Sequence, residues 1–221
     1  MSDESVGNGA SSAHGIGELT GLVLDFGGVL TTSFESALRS YCVRDGLAPD
    51  ALDRVFSLDT GAKGALVDLE CGKISQADFV PQIAPALGVE PDGLLQRMVA
   101  DLHLEPVVAS AAASLRRQGI RVGVLSNSWG SRPFDPYRPF KLDERFDAVV
   151  ISDQVRLRKP DPAIFLLMAQ RLGVAVSECV FVDDVERYLE PARALGMMAI
   201  HATDPARTVD EPERLFGLSC R

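Results

Sequence analysis

The sequence predicts an α/β protein: a Rossmann-like, doubly wound parallel sheet with an all-helical domain inserted in it. Three observations carry this expectation. Short apolar runs end abruptly in polar or small residues, helical patterns alternate with them, and one long stretch after the first run is helical throughout.

The runs are Leu22-Val23-Leu24 before Asp25, Val122 to Leu125 before Ser126, Ala148 to Ile151 before Ser152, and Cys179 to Val182 before Asp183; a fifth, Met197 to Ile200, comes after Gly196. Uninterrupted apolar runs suit strands covered on both faces, as in a parallel sheet. Between them, Ala109 to Arg117 reads as a helix ending before Gly119, and residues 163 to 172 as a helix with Asp161 as N-cap, Pro162 at its first position and Gly173 at its end. A last helix is expected to start near Pro191 and stop at Gly196. From about residue 33 to 104 the rhythm changes. Amphipathic helical segments lie around 34–45, 50–58, 62–71, 75–87 and 92–102, punctuated by Pro49, Gly61, Gly72-Lys73, Pro91 and Pro106. The expected organisation is a tail over 1–18, an α/β core over 19–32 and 105–221, and a small helical cap over 33–104.

Bulk properties narrow the function. The 221 residues can bury a substantial core, and the composition (46% hydrophobic, 24% charged, 6% aromatic) is that of a folded soluble protein. A net charge of −9, from 31 acidic and 22 basic residues, argues against nucleic acid or an anionic membrane as the main partner. Cys42, Cys71, Cys179 and Cys220 are scattered with no Cys-x-x-Cys pair, which suits reduced thiols in a cytoplasmic protein rather than a disulfide framework or zinc site. No run of ~18 apolar residues is present to span a membrane. Residues 1 to 18, rich in Ser, Gly, Asn and acidic groups, read as a disordered tail rather than a signal peptide.

In open α/β sheets the ligand sits at the carboxyl ends of the strands, so the residues just beyond each strand carry the chemistry. Asp25-Phe26-Gly27-Gly28 succeeds the first strand, Ser126-Asn127-Ser128 the second and Asp183-Asp184 the fourth, while Lys159-Pro160-Asp161 lies beyond the third. Singly, each is commonplace: a turn-forming Asp, a loop Ser-Asn, a surface Lys. Together they gather three carboxylates, a hydroxyl, an amide and an ammonium on one edge. That set suits attack by the Asp25 carboxylate on an electrophile bearing negative charge. Mg²⁺, which prefers oxygen ligands, is expected between Asp25 and Asp184, with Lys159 neutralising charge on nucleophile and transferring group. Ser126 and Asn127, with the close backbone approach that Gly27 and Gly28 permit, form the expected phosphate-binding set.

These segments also resemble the motifs of a known family. Leu22-Val23-Leu24-Asp25-Phe26-Gly27-Gly28-Val29-Leu30 looks like the first motif of the haloacid dehalogenase-like superfamily, Val124-Leu125-Ser126-Asn127 its second, Arg158-Lys159-Pro160-Asp161-Pro162 its third, and Val180-Phe181-Val182-Asp183-Asp184 its fourth. Order and spacing match over about residues 20 to 204, and the insert after the first motif is similar to a C1-type cap. The resemblance implies that Asp25 is nucleophile and metal ligand, that the Gly27 carbonyl is a second ligand, that Asp184 binds Mg²⁺ directly with Asp183 as ligand or close support, and that Ser126 and Lys159 hold the phosphoryl group. It implies hydrolysis of a small phosphomonoester through an aspartyl-phosphate, by a monomer or homodimer.

Two departures stand out. Phosphatases of this family usually carry a second Asp two positions after the nucleophile as general acid and base, a contribution typically of ~10²–10⁴-fold. Here that position is Gly27. Tyr188 also stands where relatives often have Asn or Asp. The alternatives are a catalytically weak binding or regulatory protein, which Gly27 supports, and a metal-independent 2-haloacid dehalogenase, which the Asp183-Asp184 pair disfavours. Among other residues, Trp129 lies at the mouth of the expected site, and Lys63, Arg39 and Arg44 are the nearest basic candidates for substrate selection. His14, His103 and His201 are too dispersed to suggest a metal cluster, and the loop from Arg132 to Pro139, with Phe134 and Tyr137, receives no function.

Overall fold

The computed structural model describes residues 18–219. The tail expected over 1–18 lies, apart from Glu18, outside the described residues, as do His14 and Cys220. The apolar runs become β1 (Gly21–Leu24), β2 (Arg121–Ser126), β3 (Ala148–Ile151), β4 (Cys179–Asp183) and β5 (Met198–His201), paired in parallel in the order β3-β2-β1-β4-β5. Because β1 is central, its side chains are buried on both faces. Leu22 and Leu24 join Val122, Val124, Val180 and Val182 in one apolar layer, while Val23 joins Leu125, Val150 and Phe181 in the other.

The first layer is covered by α6 (Pro106–Arg117) and α11 (Pro205–Phe216), the second by α9 (Pro162–Leu172) and α10 (Glu186–Ala194). Two one-turn helices, α7 (Leu142–Arg145) and α8 (Ser152–Val155), flank β3. As expected, Asp161 caps α9, accepting the Ala163 N–H at 2.9 Å, and Gly173 ends it in a left-handed conformation. Two expectations fail at the C-terminal end. α10 begins at Glu186, so Pro191 sits inside it rather than near its start. α10 is also not the last helix, because α11 comes after β5. Its start has the same Asp-Pro signature as α9, with Asp204 accepting the Arg207 N–H at 2.9 Å, but Pro212 inside it breaks the helical pattern.

Between β1 and β2 the chain makes α1 (Phe34–Arg44), α2 (Ala51–Leu58), α3 (Thr60–Glu70), α4 (Gln76–Leu87) and α5 (Leu94–Met98). Ser33, Asp59 and Ser75 cap α1, α3 and α4, the last in a reciprocal capping box with Asp78. These helices enclose their own apolar cluster, centred on Tyr41, Leu69, Phe79, Ile83 and Met98. The chain leaves and re-enters the core side by side: Thr32 N–H donates to His103 at 2.8 Å and Glu105 N–H to Leu30 at 2.9 Å. No helix among the described residues is long and apolar enough to cross a membrane.

Candidate active site

The strand register builds the site. Leu24 lies opposite Val182, so the next residues, Asp25 and Asp183, emerge side by side from adjacent strands at the point where the strand order reverses. Asp184 joins them, and one ligand oxygen from each carboxylate lies within 4.8 Å of the others. Like charges so close need a partner. Lys159 supplies it, its Nζ donating to Asp25 Oδ1 and Asp183 Oδ2 at 2.6 Å each while only 1% exposed. Burial works against the ammonium, but Asp183 and Asp25 outweigh it and hold the lysine above its ordinary value.

The carboxylates respond in the opposite sense. Burial pushes Asp25 well above the usual carboxylate range, against the pull of Lys159 and with the push of Asp183 and Asp184. Asp184 is raised to about 6, mainly by burial and then by Asp183. Three carboxylates against one ammonium leave an excess of negative charge, with an all-oxygen donor set. That is the chemistry of a hard divalent cation, so the residues fit Mg²⁺. Asp183 has both oxygens engaged, Oδ2 by Lys159 and Oδ1 by the Val185 N–H at 2.8 Å. It is Asp25 and Asp184 that line the cavity. Gly28 makes this packing possible: its φ is +84°, and a Cβ there would lie 2.1 Å from Asp184 Oδ2.

Ser126, at the end of β2, and Lys159 are brought to the same place, but by partners that no sequence pattern marks. Asn127 clamps the lysine's backbone, donating from Nδ2 to Lys159 O at 3.1 Å and accepting its N–H on Oδ1 at 2.8 Å. The side chain expected to bind phosphate is thus taken up in positioning Lys159. The Ser126 hydroxyl pairs at 3.0 Å with that of Tyr137, a buried residue of the 132–139 loop for which no function was expected. Burial drives the Tyr137 phenol upward, so it stays protonated. The loop's irregular course alone delivers this pairing. Tyr188 stacks its ring 5.2 Å from Lys159 Nζ and lies 3.4 Å from Asn127 Nδ2, a support rather than a ligand.

A cavity of about 620 Å³ opens above these groups, between the sheet edge and the helical insert. The insert contributes Phe34, Leu38 and Glu70, and Trp129 reaches up from the core to pack edge-on against Phe34, Phe56 and Phe79. Of the basic candidates, Arg44 and Lys63 do not line the cavity. Arg44 is tied to Asp101 at 2.7 Å, and Arg39, which does not line the cavity either, pairs at 2.8 Å with Glu35, which does. His103 lies away from the cavity, whereas His201 lines it, with Nδ1 2.9 Å from Glu186. Two links between insert and core start from insert residues, Glu70 and Gln76, that the sequence does not single out. Glu70, raised by burial, is paired with Arg158 at 2.6 Å. Buried Gln76 donates to the carbonyls of Trp129, Gly130 and Phe134 and accepts the Phe134 N–H.

Comparison with known proteins agrees with this geometry. The chain is 27% identical to bifunctional epoxide hydrolase 2 of Sus scrofa, an alignment covering 90% of this chain but 39% of that protein. It is 34% identical to the fructose-1-phosphate phosphatase YqaB of Escherichia coli (strain K12) over 58% of this chain and 66% of that enzyme. A haloacid dehalogenase-family enzyme of Bacteroides thetaiotaomicron, solved with magnesium and inorganic phosphate, shares the fold with a TM-score of 0.64 and 25% identity, over 84% of this chain and 96% of that one. The model of haloacid dehalogenase-like hydrolases matches residues 19–196, which takes in all five strands except the last together with the whole carboxylate–lysine cluster. By sheet order, strand-end chemistry and this match, the chain belongs to the haloacid dehalogenase-like hydrolase family.

Proposed function

We propose that the protein is a Mg²⁺-dependent phosphatase that hydrolyses a small phosphomonoester through an aspartyl-phosphate on Asp25. The observation that carries this reading is the Asp25–Lys159–Asp183 chain of contacts beside Asp184, facing a cavity large enough for a metabolite. Asp25 attacks phosphorus. Lys159 keeps Asp25 aimed and offsets charge on the transferring group, while Asp183 and Asn127 keep Lys159 in place. The Ser126 hydroxyl, steadied by Tyr137, receives a phosphoryl oxygen. Asp25, Asp184 and the Gly27 carbonyl would hold Mg²⁺, with Asp183 in support, and the ion would supply charge neutralisation and orientation of the phosphoryl group. Residues 33–104 act as the cap that closes the site, and the protein works in the cytoplasm as a monomer or homodimer.

Gly27 favours a second reading, in which the fold and site persist in a catalytically weak binding or regulatory protein. Phosphate release from a metabolite panel, with Mg²⁺ and with chelator, distinguishes them. The expected result is metal-dependent turnover that disappears in Asp25→Asn. No turnover on any compound supports the binding role, and metal-independent halide release from 2-haloacids would show a dehalogenase.

A further inference from the structure

Position 27 is a glycine by packing, not by backbone need. Its φ lies outside the left-handed region, so an L-residue fits the local conformation. What occupies the space is Phe34, whose Cβ lies 3.1 Å and whose Cγ lies 3.7 Å from where a Cβ on residue 27 would stand. The Phe34 side chain therefore crowds the space beside Asp25 that a side chain on residue 27 would enter. The rest of the upper cavity continues in the same character. Leu38, Val99 and Trp129 are only partly buried there and, with Phe34 and Leu102, give the leaving-group side an apolar wall.

Charge points the same way. The basic side chains lining the cavity, among the described residues, are Lys159 and His201; the lysine is held by two carboxylates and the histidine lies against Glu186. The rim carries Glu35, Asp53, Glu70 and Glu186. The arginines beside these acids are already engaged, Arg39 by Glu35 and Asp53 and Arg158 by Glu70, so a second phosphate or a carboxylate on the substrate would have to compete with carboxylates already in place.

Resting on the phosphatase reading, we propose that the substrate is a phosphomonoester of an uncharged, apolar and acidic hydroxyl, a phenol or enol, whose ring packs between Phe34, Leu38 and Trp129. Such a leaving group departs without a proton from the protein. An Asp25 oxygen bonds to phosphorus as the bond from phosphorus to the aryl oxygen breaks. The electron pair leaves on that oxygen, and the phenolate then takes a proton from water. A second water attacks the phosphorus, gives its proton to solvent, and inorganic phosphate departs as the Asp25 carboxylate re-forms.

The test compares phenyl phosphate, cyclohexyl phosphate and glucose 6-phosphate as substrates of the wild-type protein and Gly27→Asp, by phosphate release with Mg²⁺. The first two match in size and differ in acidity of the hydroxyl, and the third differs in polarity. Phenyl phosphate is expected to exceed cyclohexyl phosphate in kcat/KM by about 10²-fold or more, with glucose 6-phosphate lowest, and the variant to narrow the first gap by about tenfold. The wild-type series decides the matter even if Phe34 prevents the variant from folding. Trp129, the one tryptophan of the chain, gives a binding readout: phenol is expected to quench its fluorescence and glucose to leave it unchanged. Equal rates on phenyl and cyclohexyl phosphate, preference for glucose 6-phosphate, or equal quenching by phenol and glucose overturns the inference while leaving the phosphatase reading intact. No release from any of the three overturns the inference, and the phosphatase reading falls with it only if the metabolite panel is silent as well; undiminished release by Asp25→Asn overturns both.

Discussion

The carboxyl edge of the sheet and the helical insert above it are held by different forces. At the edge, charge is concentrated and tied together by polar contacts: Lys159 bridges two carboxylates, Asn127 holds its backbone, and Val185 fixes the far oxygen of Asp183. The insert is an apolar cluster whose described ion pairs are mostly exposed, and it touches the core through few polar links, chiefly Gln76 and the Glu70–Arg158 pair. The difference teaches where each property resides. The geometry of the carboxylate–lysine cluster is built into adjoining strands, where register fixes it, whereas the insert is packed on its own apolar cluster and meets that edge through a few polar contacts.

That contrast can be broken most severely at Lys159. Lys159→Met strips the partner from two buried carboxylates and is expected to cost about 3–5 kcal/mol in chemical denaturation, with loss of turnover; a change below about 1 kcal/mol would mean the edge is not held by charge. Gly28→Ala comes next. The added methyl meets Asp184, and the positive φ adds strain, so a loss of about 2 kcal/mol is expected together with weaker Mg²⁺ binding by calorimetry. Gln76→Leu tests the insert's tether. It leaves buried backbone groups of the 129–134 segment unpaired, at about 1–3 kcal/mol, and hydrogen exchange there is expected to rise while the carboxylate edge stays protected. Smallest is Arg39→Ala, whose exposed pairs with Glu35 and Asp53 make a change under about 0.5 kcal/mol the expectation.

The two regions also differ in how far the sequence reveals them. The edge is legible because a buried parallel strand writes itself as a continuous apolar run, and the residue after it falls at a known place. Asp25, Ser126, Lys159, Asp183 and Asp184 are located that way. How those side chains engage one another is not legible. Asn127 looks like a ligand-binding amide and instead grips Lys159, a pairing across 32 residues that no local pattern encodes. Tyr137 sits in a proline-rich loop with no periodicity, so nothing marks its reach to Ser126. Helices of the insert emerge within a few residues from their spacing and caps. The face they turn to the core does not: Lys63 and Arg44 are plausible by proximity in sequence and lie elsewhere, while Glu70 and Gln76 look like ordinary helix-end residues. α11 escapes because Pro212 interrupts it, although Asp204-Pro205 repeats the start of α9.

The central place of β1 bears on how the molecule is assembled. Its neighbours are β2 and β4, whose residues come about 100 and 158 positions later in the chain. During synthesis the insert, whose helices contact near neighbours in sequence, can form long before the sheet does. β2 can pair with one edge of β1 when Arg121–Ser126 has emerged, but the other edge waits until Cys179–Asp183 has. Asp25 can meet Asp183 only once that strand is made, so the carboxylate cluster is among the parts of the molecule whose assembly spans the most chain.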